Sequence, residues 1–260
     1  MTATEPASPR RLLTGLAAYV VWAAITLFSM AWLRPGTHSL LDSIRHEVGL
    51  NFVLAILFLF ILARLNRWSD LAFVRPESAR SLRVLWFPAL YLAFFGAIAA
   101  FSGVPLPARQ ILFVLANVAL VGLSEEFMFR GVLFRALRSR LRTWPAILFT
   151  SVLFGGIHVF NVFITGELLS AAVQAVAATL SGFVFMALLL RTGSLWVPIV
   201  YHALFDLGTF LAGANSVAHA QDPEPAALVK VVVPLLMVLP NFLYAIYLLR
   251  KIPNEPPRRS

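Results

Sequence analysis

The chain reads as an all-α membrane protein, a bundle of about eight transmembrane helices with both termini in the cytoplasm. Three observations predict this. Hydrophobic residues make up 60% of 260 positions and charged residues only 13%, with mean hydropathy +0.82, too apolar for a soluble domain of that length. The apolar residues are gathered into eight runs of roughly 18 to 25 residues, the length that crosses a hydrocarbon core of about 30 Å. Basic residues also alternate between connections, and that asymmetry sets orientation. One side receives Arg10 and Arg11, the five from Arg64 to Arg83, the five from Arg130 to Arg142, Arg191 and four in the C-terminal tail. That makes 17 of the 21 Lys and Arg, against 4 on the other side: Arg34, Arg45, Arg109 and Lys230.

Taken in order, residues 1–11 (MTATEPASPRR) form a polar cytoplasmic segment. The run at 12–33 lacks a small-residue cleavage site, so it is a retained span rather than a signal peptide. Spans at 48–65 and 84–102 follow, joined by the longest connection, 66–83 (NRWSDLAFVRPESARSLR). With Trp68, Leu71 and Phe73 among its arginines, this connection suits an anionic membrane surface. It equally suits a solvated loop with a few buried aromatics. The fourth run, 111–137, ends in RALRSRLR at 135–142, the close of a helix plus a turn. Runs at 144–164, 168–190, 195–214 and 226–249 complete the membrane domain, 12–250, and 251–260 is a basic cytoplasmic tail. The net charge of +9 and pI of 11.0 would suggest nucleic acid in a soluble protein, but here they report topology. With no cysteine, disulfides, thiol nucleophiles and thiolate metal ligands are excluded. Of the 21 basic residues 19 are Arg, which hints at a GC-rich bacterial genome.

Six ionisable residues interrupt the apolar runs: Glu125, Glu126 and Arg130 in the fourth, His158 in the fifth, His202 and Asp206 in the seventh. A charge in hydrocarbon costs several kcal/mol, roughly 2.5 to 3.5 on insertion scales, so it needs a use or a partner. Glu126 and Arg130, four apart, share a helix face and can pair, while Glu125 points about 100° away toward the side of Gly122 and Phe129. Glu125 is thereby left as a candidate base. The bland alternative is a structural ion pair with a second, snorkelling glutamate. His158 closes FGGIH, where Gly155 and Gly156 would let another helix approach. Its alternative is an interhelical hydrogen bond. His202 and Asp206 share a face at i,i+4, suiting an oriented imidazole, two ligands of one metal, or a private structural bond.

The order EExxxR (Glu125 to Arg130), FxxxH (Phe154 to His158), HxxxD (His202 to Asp206) resembles the CPBP intramembrane proteases. That family includes the type II CAAX prenyl endopeptidases and bacterial proteins linked to bacteriocin processing and self-immunity. The resemblance covers a protease-like core of about residues 85–210. It implies that Glu125 and His158 activate the water that attacks a peptide carbonyl, that Glu126 and Arg130 hold their helix in place, and that His202 stabilises the oxyanion. Where the prenyl endopeptidases carry Asn, this chain has Asp206. That carboxyl is then protonated, orients His202, or joins a metal site. Glu125, His158, His202 and Asp206 would suit one divalent metal such as zinc or a metal-free glutamate protease, and the lack of an HExxH pair favours the second. The implied partners are the bilayer and a membrane-associated peptide or protein, with no nucleic acid. A bacterial source favours an unprenylated peptide, and the arginine-rich edge suggests entry from the cytoplasmic face. Rival readings are a proton- or ion-coupled transporter, disfavoured by the lack of repeated halves, and a catalytically inactive immunity or scaffold protein.

The depths set a condition. At about 1.5 Å per residue, His158 lies about 21 Å from Trp144 and Glu125 about 18 Å from Leu137. They meet only if the fourth helix continues through Arg130, which would bring the Glu125 carboxylate within hydrogen-bond or single-water reach of His158.

Overall fold

The computed structural model describes residues 9–33, 36–101, 106–218 and 227–257. Residues 1–8 of the expected N-terminal segment and 258–260 of the tail lie outside the described residues, as does part of the connection before 227. Among the described residues every regular element is helical: α1 (Pro9–Leu33), α2 (Leu40–Ile44), α3 (Leu50–Leu65), α4 (Trp86–Phe101), α5 (Ala108–Glu126), α6 (Phe134–Arg138), α7 (Thr143–Ile157), α8 (Val162–Thr165), α9 (Leu168–Thr192), α10 (Trp196–Ala218) and α11 (Ala227–Leu249). Among the described residues six spans are long and apolar enough to cross a membrane, and the shorter apolar helices Leu50–Leu65 and Trp196–Ala212 complete the eight expected runs.

Two runs depart from simple helices, both at the ionisable residues. The fourth stays continuous through Arg130, as required, but between α5 and α6 it widens into a π-helical stretch, Phe127–Leu133, directly after the two glutamates. Such turns mark places where a helix accommodates one extra residue, often at functional sites. The fifth run breaks at His158 into a 3₁₀ turn, His158–Asn161, before α8. There the Nδ1–H of His158 donates to the Phe154 carbonyl at 2.8 Å, taking one of the acceptors that a helix end leaves open.

The end of the bundle that carries both termini is sealed. Segment 66–83 folds inward over the α9–α10 turn: Leu195 N–H donates to Ala72 O at 2.8 Å, Glu77 N–H to Thr192 O at 3.0 Å and Ser194 Oγ to Val74 O at 2.5 Å. Gly193 makes this turn with φ +69, and a Cβ there would meet the Glu77 carboxylate at 2.8 Å. Phe73 wedges beneath, its ring 4.9 Å from Phe127 and 5.4 Å from Trp196. Of the two expectations for this connection, the loop with buried aromatics is the nearer, but it is tied down as a cover. Arg138 fastens the next turn and the tail through Leu141 O at 2.6 Å and Pro256 O at 3.0 Å. The buried core, including Phe127 to Leu133, Leu188, Leu195 and Leu249, fills this half of the bundle.

The opposite end is built differently. Asn117, inside α5, donates from Nδ2 to Ile44 O and Glu47 O, each at 2.7 Å, and accepts from Gly49 N–H at 2.7 Å. One amide thus satisfies three backbone groups of the α2–α3 connection, whose short helix and fixed turn hydropathy alone does not reveal. His38 N–H donates to Ile164 O at 2.9 Å, joining the same region to α8.

Candidate active site

Three helices converge on the charged set because small residues allow it. A Cβ on Gly122 would meet the Ile199 carbonyl at 3.0 Å and Ala203 N at 3.2 Å, so this glycine brings α10 against the face of α5 that carries the carboxylates. A Cβ on Gly155 would collide with the Ala175 carbonyl and Thr179 of α9. Gly156 does not share that role: it is exposed, with nothing within 4 Å, so only one of the two glycines serves helix approach.

The resulting centre is a chain of acids and bases. Arg130 and Glu126 are both fully buried and paired at 3.1 Å, as the i,i+4 spacing requires. Arg130 also donates to Gly182 O at 3.2 Å and lies against the rings of Phe154 and Phe185, at 4.3 and 5.0 Å. Glu126 is more than the partner of Arg130, however, because its Oε1 also accepts from His202 Nδ1 at 2.9 Å. That fixes the imidazole, which stacks on Phe185 with centroids 4.5 Å apart. Its other nitrogen, Nε2, faces Asp206 Oδ2 at 3.4 Å and Glu125 Oε2 at 3.8 Å. Glu125 Oε2 itself has no hydrogen-bond partner. The Ser124 hydroxyl beside it is held by Trp22 Nε1 at 2.9 Å.

Glu125, His158, His202 and Asp206 line one cavity of about 360 Å³, whereas Glu126 and Arg130 stand behind it. Because His158 spends Nδ1–H on a backbone carbonyl, its Nε2 is the nitrogen that remains to accept a hydrogen bond. Further into the cavity Asn161 Nδ2 donates to Gln174 Oε1 at 2.8 Å, with Thr26, Ser43 and Thr209 adding hydroxyls. Neither Asn161 nor Gln174 was singled out in the sequence, and nor was Asn117. Each is a lone amide in an apolar run, the signal that would have found it. The expected entry from the arginine-rich edge is not what the chain builds: that edge is the sealed end, and the cavity runs the other way. Among the described residues no group of three or more His, Asp or Glu side chains is arranged to hold a metal ion.

Fold and site together define a polytopic membrane protein with a buried acid–imidazole centre at the head of an internal cavity. Residues 107–208 match the family model described as Type II CAAX prenyl endopeptidase Rce1-like. That stretch, which contains every member of the set from Glu125 to Asp206, is therefore similar to the type II CAAX prenyl endopeptidases. No curated protein matches the chain.

Proposed function

We propose that the protein is an endopeptidase that hydrolyses a peptide bond of a membrane-associated substrate with water activated by Glu125 and His158. The observation that carries this reading is the convergence of Glu125, His158, His202 and Asp206 on one cavity while Glu126 and Arg130 are sealed behind it. A water between the Glu125 carboxylate and Nε2 of His158 donates one O–H to each, leaving a lone pair for the substrate carbonyl carbon. As the new C–O bond forms, its proton passes to Glu125 and the carbonyl oxygen becomes an oxyanion. Nε2 of His202 faces that position, since Nδ1 is held by Glu126. Donating from both nitrogens requires the imidazolium, for which Glu126, Asp206 and Glu125 supply countercharge. Glu125 then returns the proton to the leaving nitrogen as the C–N bond breaks, and no covalent enzyme intermediate forms.

The cell membrane is the proposed location, with both termini cytoplasmic by the distribution of Lys and Arg. The test is cleavage by purified protein in detergent, compared with Glu125→Gln. Loss of cleavage in a variant that melts like the parent supports the reading, and equal cleavage ends it.

A further inference from the structure

The direction of the cavity has a consequence for the substrate. Beyond the four site residues, its walls come from helix portions nearer the end opposite the termini: Thr26 late in α1, Ser43 in α2, Val118 two turns before Glu125 in α5, Ile164 in α8, Gln174 early in α9 and Thr209 past the middle of α10. Toward the termini, the same centre is closed by Phe127 to Leu133, by Leu195 and by the cover at 66–83, whose Leu71 is also buried. The arginine-rich connections all lie at that closed end. Orientation by positive charge therefore places the mouth on the other face of the membrane.

The lining adds a chemical filter. Among the described residues it holds the carboxylates of Glu125 and Asp206 and two imidazoles but no Lys or Arg, and Arg130 is fully buried behind Glu126. An acidic side chain or a free C-terminal carboxylate beside the scissile bond would meet like charge there, with no Lys or Arg among the described lining residues to offset it. The Asn161–Gln174 amides offer hydrogen bonds to an extended backbone, and the hydroxyls of Thr26, Ser43 and Thr209, which donate to nearby backbone carbonyls, can still accept from it. We propose that the site takes its substrate from the extracytoplasmic side, as an extended internal segment of a peptide without acidic residues at the cut. The word substrate rests on the protease reading above; the direction of the opening does not.

The chain has no cysteine, so single thiols report position without background. Thr209→Cys and Gln174→Cys mark the cavity, and Arg140→Cys, which is exposed, marks the sealed end. With a membrane-impermeant maleimide, the two cavity thiols should label in right-side-out vesicles and be protected in inverted ones, and Arg140→Cys should do the reverse. Labelling of the cavity thiols only from inverted vesicles, or from neither side, overturns the proposal. Separately, purified protein is given a mixed decapeptide library and the cuts are read by mass spectrometry. Asp and Glu should be depleted about tenfold or more within two positions of each cut, because opposed like charges are strongly disfavoured. Undiminished acidic residues overturn the filter. Cuts no more frequent than with Glu125→Gln remove the protease reading and the substrate half with it, while the labelling still decides the opening.

Discussion

Oε1 of Glu126 accepts the Nδ1–H of His202 at 2.9 Å, which ties the seventh span to the fourth through an oxygen already held by Arg130 at 3.1 Å. The two glutamates therefore do different work. Glu126→Gln should lower thermal stability by about 3 to 5 kcal/mol, since it leaves Arg130 uncompensated in the core. It should also lower cleavage sharply, because the neutral amide no longer supplies countercharge to the His202 imidazolium. Melting and cleavage measured on the same sample check both.

Glu125→Gln should behave in the opposite way. Its Oε2 makes no hydrogen bond, so the neutral isostere changes melting little, while cleavage falls by at least about 100-fold with loss of the base. A variant that melts early would place Glu125 among the structural residues instead.

Asp206 sits 3.4 Å from His202 Nε2, too far for a strong bond. Asp206→Asn should therefore retain at least about a third of the cleavage rate, because an amide can still accept from Nε2 and adds a donor facing the oxyanion. Bound metal is measured on the same preparation, and cleavage is repeated with a chelator. An inactive variant with less metal than the parent would favour the metal alternative.

The glycine pair separates helix contact from backbone preference. Gly155→Leu drives a side chain into Ala175 and Thr179, so it should cost about 1 to 3 kcal/mol or more. Gly156→Ala meets nothing and should be neutral or stabilising by roughly 0.5 to 1 kcal/mol. Melting temperatures of the two variants, each against the parent, decide it.

Asn117→Leu removes three hydrogen bonds to the α2–α3 connection and should destabilise by about 1 to 3 kcal/mol. It should also speed proteolytic nicking near Glu47, which is exposed, by loosening the cavity's outer wall.

The spans were legible because hydropathy and charge are local properties of the chain: all eight runs fall on observed helices within a few residues. The Glu126–Arg130 pair was legible for the same reason, as a one-turn spacing. His202 on Glu126 was not, because that contact joins residues 76 positions apart and depends on how closely Gly122 lets α10 approach. Nor was the sealed end legible: 66–83 has the arginines of a surface loop, and only its hydrogen bonds to Thr192, Ser194 and Leu195 reveal a cover. His158 was expected within a helix and instead ends one, since its own ring competes for the Phe154 carbonyl.

The π-helical stretch at Phe127–Leu133 makes the fourth span a matter of phase as well as length. An α-helix turns about 100° per residue, so removing one residue there would let the whole span wind uniformly while rotating everything beyond it by about that angle. Hydropathy and span length would barely register such a deletion. Yet Arg130 and the core side chains after it would face new neighbours, and the two glutamates would lose their common backing. The charged centre thus depends on a single-residue register offset, the kind of coding that a count of apolar residues cannot carry.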